Sequence, residues 1–312
     1  MTSRTLGSTS LTVSPIGFGC VALAGQYGPL AEEEGIRAVH HAIDSGINFF
    51  DTSAYYGETL SETRLGKALE GRRDEVVLAT KGGRHATDRF DFSYDNIIQM
   101  CEDSLKRLQT DWLDIYQLHD IEFGEMDTVL EGCRALCDLK EQGKARFIGV
   151  TGYPPTLLRH MAETRDFDVT LTYCHGNLLN NRMDDVLAPV TKKNGMGLIN
   201  GSVTHMGVLT PQGEQDWHPA PIEVKQAGRE AAKYCADRGV NLAELAIQYS
   251  LRNENADVTL LGTRTVEELE NSIALLNRPI DEEVLAGVEA ILKPVHNVEW
   301  ASGLTENAVK YG

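Results

Sequence analysis

A single α/β chain folded as one (β/α)8 TIM barrel is the architecture this sequence predicts, on three observations. Short apolar segments alternate with amphipathic stretches over most of the 312 residues, the pattern of a mostly parallel sheet with helical crossovers. Eight such alternations occur with no Pro/Gly-rich linker, which favours one closed barrel over residues 1–312 rather than two domains. The competing open, doubly wound sheet requires a glycine-rich dinucleotide turn after the first strand. Its best candidate, GFGCVALAG at 17–25, completes no GxGxxG spacing, and Gly17 and Gly19 fall inside the first strand.

Taken in order, TLGSTSLTVSP (5–15) alternates like a short N-terminal hairpin placed to plug the barrel bottom. Strands are expected at 16–23, 48–53, 76–81, 114–119, 146–151, 168–174, 197–203 and 258–263. The helical pattern at 31–45 puts Ile36, Val39, His40 and Ile43 on one stripe. The one at 93–108 begins with Ser93 as N-cap and repeats apolar side chains at i, i+3, i+4 and i+7. Gly46, Gly71, Gly143, Gly195 and Gly239 stand at helix ends, as left-handed caps. From residue 281, DEEVLAGVEAILKPVHNVEW reads as a C-terminal helix plus loop.

Acidic residues number 46 and basic residues 29, a formal charge of −17. Such a surface repels phosphate backbones and anionic lipid, so neither nucleic acid nor a membrane is an expected partner. No apolar run approaches the ~18 residues of a membrane span, and MTSRTLGSTSLTVSPIGFGC carries no secretion signal. Cys20, Cys101, Cys133, Cys137, Cys174 and Cys235 form no CxxC pair, and Cys133 and Cys137 at i, i+4 read as buried thiols. The expectation is a cytoplasmic protein with reduced thiols and no metal site. Its oligomeric state is left open between a monomer and a weak homo-oligomer.

In such a barrel reactive groups stand at the C-terminal ends of strands. Asp51, Lys81 and His119 end strands two, three and four, and Tyr56 follows Asp51 by five positions. Tyrosine ionises near ~10, too high for a base at neutrality, but a neighbouring lysine cation favours tyrosinate. Asp51 can hold Lys81 charged, and His119 can donate a hydrogen bond to a substrate oxygen. Each residue also has a bland reading: a turn cap, a snorkelling lysine, a surface ring beside Tyr55, a core histidine. Three of the four at consecutive strand ends favour proton transfer.

NFFDTSAYYG, VVLATKGG and YQLHD resemble the signature regions of the aldo-keto reductases, and KARFIGVTGY, INGSVTHMGVLT and LLGTRTVEELENS are also similar, over roughly residues 4–300. The resemblance implies the barrel, a nicotinamide cofactor, and a tetrad of Asp51, Tyr56, Lys81 and His119 with Tyr56 as acid/base. LHDIEFG, TYCHGN, DWHPAP, QYSL and KPVHNVEWASG resemble the branch of L-galactose dehydrogenases and aldose 1-dehydrogenases. That implies NAD-dependent oxidation of the anomeric carbon of a sugar to a lactone. The alternatives are another aldehyde or ketone, of pyridoxal or 3-keto-glycoside type.

The chain departs from the family at Thr151 and Gly152, where Ser-Asn often holds the nicotinamide amide. It departs again at Gly201, beside Ser202, where an aromatic usually stacks; Tyr173 is the candidate substitute. Gly262 and Thr263 end strand eight, where backbone N–H groups can approach a phosphate, and Arg264 can pair with it. Glu267, Glu268, Glu270 and Asn271 open the next helix. Carboxylates there repel a 2′-phosphate, favouring NAD with NADP as the weaker option; simple dipole matching is the bland reading. The expected cofactor contacts are Thr151, Gly152, Ser202, Gly262, Thr263, Arg264, Glu268 and Asn271. A sugar substrate is expected against Asp120, Phe123, Trp217, His218 and Trp300, with packing of the loops an equal reading for the tryptophans. Two other classes compete: a cofactor-binding sensor, and a metal-dependent hydrolase using some of His40, His41, His119, His175 and His205. An intact tetrad argues against the first and the lack of an HxH motif against the second.

Overall fold

Eight parallel strands close into a barrel in the computed structural model, which describes residues 2–26 and 28–311. The chain opens with an antiparallel hairpin, β1 (Arg4–Thr5) and β2 (Thr12–Val13). Then follow β3 (Ile16–Gly19), α1 (Glu32–Asp44), β4 (Phe49–Asp51), α2 (Leu60–Ala68), β5 (Val77–Gly82) and α3 (Tyr94–Leu108). The middle comprises β6 (Leu113–Leu118), α4 (Met126–Glu141), β7 (Ala145–Gly152), α5 (Pro155–Thr164), β8 (Val169–Tyr173) and α6 (Ala188–Asn194). After β9 (Gly197–Gly201) come two helices, α7 (Ile222–Ala236) and α8 (Leu242–Leu251), then β10 (Val258–Leu261) and α9 (Val266–Leu275). The chain ends with α10 (Glu282–Leu292) and α11 (Thr305–Tyr311). β10 pairs with both β9 and β3 and so closes the ring.

The strands carry few polar residues because most are covered on both faces, as parallel sheets are; every residue of β4, β5 and β6 is buried. Phe18, Phe50, Leu78, Tyr116, Ile148, Val150 and Leu198 pack outward against the helices. Phe49, Val77, Ala79, Ile115, Val169, Ile199 and Val258 fill the interior together with Leu6, Leu11 and Val13 of the hairpin. The hairpin is therefore the plug expected of it, and burial of Leu6 or Leu11 contributes roughly 1.5–3 kcal/mol each. The polar residues Asp51, Lys81 and His119 are left at the opposite end.

Local outcomes differ from the sequence reading in five places. The first strand stops at Gly19, and Cys20–Ala24 forms a 3-10 turn. Side chains of α2 take the carbonyls there: Ser61 Oγ donates to Cys20 O at 2.7 Å and Arg64 to Leu23 O at 2.6 Å. Ser93 stands at the N-cap of α3, but its hydroxyl makes no capping bond; Asp91 Oδ1 accepts its N–H instead, at 2.9 Å. The buried face of α1 runs through Ala38, Val39, Ala42 and Ile43, so His40 lies at its edge, within 2.8 Å of Ala68 O. Cys137 is exposed while the other five thiols are buried, and all six are free. The tail does not stay a loop after α10, since α11 docks on α5, with Tyr311 on His160 at 4.6 Å. The five helix-end glycines do adopt left-handed φ, between 67° and 86°. Among the described residues no helix is long and apolar enough to cross a membrane.

Candidate active site

β4 ends in Asp51, and β5, its parallel neighbour, carries Lys81 to the same mouth of the barrel. Lys81 is 1% exposed. Its ammonium donates to Asp51 Oδ1 at 2.5 Å, to the Thr52 carbonyl at 2.8 Å and to Tyr56 Oη at 3.3 Å. All three N–H groups are thereby used, which a buried ammonium requires. Burial opposes the lysine charge, but Asp51 and Tyr56 outweigh it and hold the ammonium above its ordinary value. Burial pushes the Asp51 carboxyl up against the pull of Lys81. Burial also pushes the Tyr56 phenol up to about 12, with Lys81 pulling it down and Asp51 and Asp120 adding to the rise. The lysine thus acts in the direction the sequence implied, but desolvation exceeds it, and the expected net lowering is corrected to a rise.

His119 follows β6 directly and meets the edges of Tyr55 and Tyr56, with centroids at 5.9 and 5.8 Å. Its Nδ1 lies 2.9 Å from Ser53 Oγ, which also accepts the Tyr55 N–H at 3.1 Å. Burial, reinforced by the Lys81 and Arg84 cations, holds the imidazole well below its usual pKa, so the ring is neutral. Its Nε2 is 3.7 Å from Asp120 Oδ2. Asp120 pairs with Arg84, whose guanidinium lies 3.7 Å over the Tyr55 ring and 5.3 Å from Phe90. Phe90 stacks on Phe123 at 4.6 Å and 6°. Asp120, Cys174 and Ser202, each just past a barrel strand, have φ of 56°, 65° and 53°. Strained non-glycine backbone of this kind gathers where function demands it.

Thr151 and Gly152 end β7. Thr151 Oγ1 is turned inward and accepts the Asp120 N–H at 3.2 Å. A Cβ on Gly152 would stand 2.7 Å from Glu122 Oε2, so a fully buried glutamate fills the space that a side chain at 152 would need. Glu122 Oε1 accepts Tyr153 N–H at 3.0 Å and Ser302 Oγ–H at 3.1 Å, while its carbonyl accepts Leu304 N–H and Asn307 Nδ2 at 2.8 and 2.9 Å. Burial, then the Asp120 charge, raises its carboxyl to about 8. Tyr173 stands beside Gly201 in the β8–β9 ladder, so an aromatic does occupy this edge, from the neighbouring strand.

The expected substrate residues divide. Trp300 stacks on Tyr153 at 4.1 Å and 23°, and meets His205 and His218 edge-on at 5.5 Å. Trp217 is 54% exposed at the loop tip, against His218. His218 engages backbone through both ring nitrogens, with Nε2 3.0 Å from His205 O and Nδ1 accepting the Ala220 N–H at 3.1 Å, so it braces the long loop. His175 lies 2.9 Å from Glu299 Oε1. Ser53, Arg84, Glu122 and Tyr153 were not identified as site residues from sequence, and His175 and His205 were considered only as metal ligands. Glu122 lies in LHDIEFG and Ser53 in DTSAYY, each within five residues of a member of the tetrad, and that nearness in the chain was the available signal. Among the described residues no group of three His, Cys, Asp or Glu side chains is arranged to hold a metal ion.

Past the end of β10, Thr263 is 2% exposed and its hydroxyl has no partner among the described residues, while Gly262 beside it is open to solvent. Glu268 is not the free carboxylate that the sequence reading assumed. Its Oε1 pairs with Arg264 Nη2 at 2.6 Å, its Oε2 accepts the Arg264 N–H at 2.8 Å, and its own N–H is capped by Thr265 Oγ1 at 3.2 Å. Glu267 and Asn271 are exposed, and Ser202 is half-buried. A buried hydroxyl, an exposed glycine and the Arg264 cation stand together here, a set that fits a dinucleotide phosphate.

The profile of the aldo/keto reductase family matches residues 15–293. The chain belongs to that family. It is 42% identical to the L-galactose dehydrogenase of Arabidopsis thaliana, over 97% of this chain and 98% of that protein. It is 32% identical to the D-arabinose 1-dehydrogenase of Saccharomyces cerevisiae, over 94% of this chain and 95% of that one. The holo form of an aldo-keto reductase from Bacillus halodurans superposes with a TM-score of 0.76 at 26% identity, covering 97% of this chain and 98% of the other. The aldo-keto reductase barrel and an oxidoreductase activity on a small molecule with a nicotinamide cofactor are therefore shown for this chain.

Proposed function

We propose that this aldo-keto reductase uses NAD to oxidise C1 of an L-galactose-like aldose to the lactone, in a reducing cytoplasm. The observation that carries the reading is the chain of contacts from Asp51 through Lys81 to Tyr56 Oη, beside a neutral His119 at the barrel mouth. The 42% identity to a protein named L-galactose dehydrogenase supports the sugar. A nicotinamide dinucleotide held by Ser202, Gly262, Thr263 and Arg264 would supply the acceptor for the hydrogen leaving C1 with its electron pair. Tyr56 takes the proton of the C1 hydroxyl, and Lys81 stabilises the tyrosinate that must form first. Asp51 keeps Lys81 charged and in place. His119 donates to the same substrate oxygen and orients it. Trp300, packed on Tyr153, offers the sugar a flat face, and the Asp120 carboxylate offers an acceptor for a ring hydroxyl.

NADH formation screened over free aldoses tests the reading. The lactone is expected before the free acid, because a cyclic hemiacetal carries both the hydroxyl and the departing hydrogen on C1. Methyl glycosides should be inert; their efficient oxidation would move the chemistry to a ring hydroxyl and favour the keto-glycoside alternative.

A further inference from the structure

We propose that Ser53 is a positioning residue that sets the tautomer of His119, so that the imidazole presents an Nε2–H donor to the substrate oxygen. The inference rests on the reading that His119 faces that oxygen. Ser53 is fully buried and accepts the Tyr55 N–H at 3.1 Å. Among the described residues the only other hydrogen-bond partner of its hydroxyl is His119 Nδ1, at 2.9 Å. With no other acceptor for it among the described residues, the hydroxyl proton points at Nδ1. Nδ1 then accepts, and the single proton of the neutral ring resides on Nε2.

The opposite tautomer carries two costs. Nδ1–H would make Ser53 Oγ a double acceptor and strand its own proton in a buried position, where an unmade hydrogen bond is expensive. It would also turn the Nε2 lone pair toward Asp120 Oδ2, 3.7 Å away on a carboxylate paired with Arg84. The doubly protonated ring is disfavoured by Lys81 and Arg84, the cations that face it. Tyr55 and Tyr56 stand steeply inclined to the ring, at 5.9 and 5.8 Å between centroids. Ser53 belongs to the loop that carries Tyr56, while His119 follows β6 directly. One hydroxyl thus ties the acid/base loop to the orienting imidazole. A substrate oxygen placed between them must accept from Nε2–H while exchanging its proton with Tyr56, which a carbinol or carbonyl oxygen can do.

Long-range proton–nitrogen correlation spectra of the full-length protein labelled with 15N-histidine read the tautomer, with His119→Asn assigning the signal. The unmodified protein should show the Nε2–H form without any sugar present. Ser53→Ala should bring in the Nδ1–H form and lower kcat/KM for the substrate about tenfold, the scale of one hydrogen bond, with cofactor KM unchanged. Ser53→Thr, which keeps the hydroxyl, should restore the Nε2–H pattern. An Nδ1–H tautomer in the unmodified protein, or an unaltered Nε2–H pattern in Ser53→Ala, overturns the proposal. The spectra need no turnover, so a failed aldose screen would count against the sugar reading alone.

Discussion

In the proposed reaction Tyr56 and Lys81 divide the proton-transfer task by a balance of burial against charge. Desolvation pushes the phenol up to about 12 and the buried ammonium pulls it back. Tyrosinate is the base for oxidation, so the oxidative rate should rise with pH across the alkaline range. Lys81→Met removes the one nearby cation bonded to the phenol, and the rise should move to higher pH. The same variant leaves Asp51 as an unpaired buried carboxylate, which costs about 3–5 kcal/mol of stability at neutral pH. Tyr56→Phe keeps the ring and removes the proton. Turnover should fall at least ~10²-fold, the low end for general acid–base catalysis, with nicotinamide affinity by fluorescence titration little changed. Near-normal turnover would show that another group carries the proton.

Two elements frame the proposed cofactor and substrate sides of the site. The tail from Trp300 to α11 is fastened through Glu122, whose carboxyl burial and the Asp120 charge raise to about 8. Between roughly pH 4.5 and 8 the native state keeps a proton that the unfolded chain has lost. Stability therefore falls as pH rises through this window, by up to ~1.4 kcal/mol per unit. Glu122→Gln keeps the shape without the charge, so its Tm should exceed that of the parent at pH 8 and approach it at pH 4.5. A constant Tm difference across that range would mean that Glu122 does not titrate there. On the cofactor side, Arg264 is held by Glu268 at the capped start of α9. In the NAD-dependent reaction proposed above, the preference comes from an engaged cation, with exposed Glu267 adding repulsion. Glu268→Gln should remove the carboxylate charge beside Arg264 and raise kcat/KM for NADP relative to NAD, an effect that salt screens. An unchanged ratio at low salt would remove Arg264 from cofactor selection.

For the whole molecule, the hairpin and the barrel interior share one apolar layer, and the tail reaches back across the mouth to Glu122. Ends so joined imply that residues 1–312 unfold as a single domain. Far-ultraviolet circular dichroism and tryptophan fluorescence should give coincident denaturation curves. Leu6→Ala, at the plug and fully buried, should cost about 2–5 kcal/mol of stability and lower both midpoints together. Separation of the two curves would reveal a second cooperative unit.

The barrel and its reactive end were legible in the sequence because they rest on local regularities. Strand segments are apolar through burial on both faces, and Asp51, Lys81 and His119 interrupt or follow those runs where the strands end. What the sequence concealed are partnerships between residues remote in the chain. Glu122 meets Ser302 across 180 positions and His175 meets Glu299 across 124. Ser53 reaches a histidine 66 residues away. Glu268, read alone, is a repelling carboxylate, and folding turns it into the partner of Arg264. The net sign at Tyr56 was likewise beyond sequence, since the lysine's pull follows from spacing but the depth of burial does not. The sequence by itself determined the parallel (β/α)8 ring and the four side chains at its mouth, because periodicity and strand ends are written in short windows. Only the tertiary structure decided which protons those side chains hold, because desolvation and long-range hydrogen bonds arise when distant segments pack together.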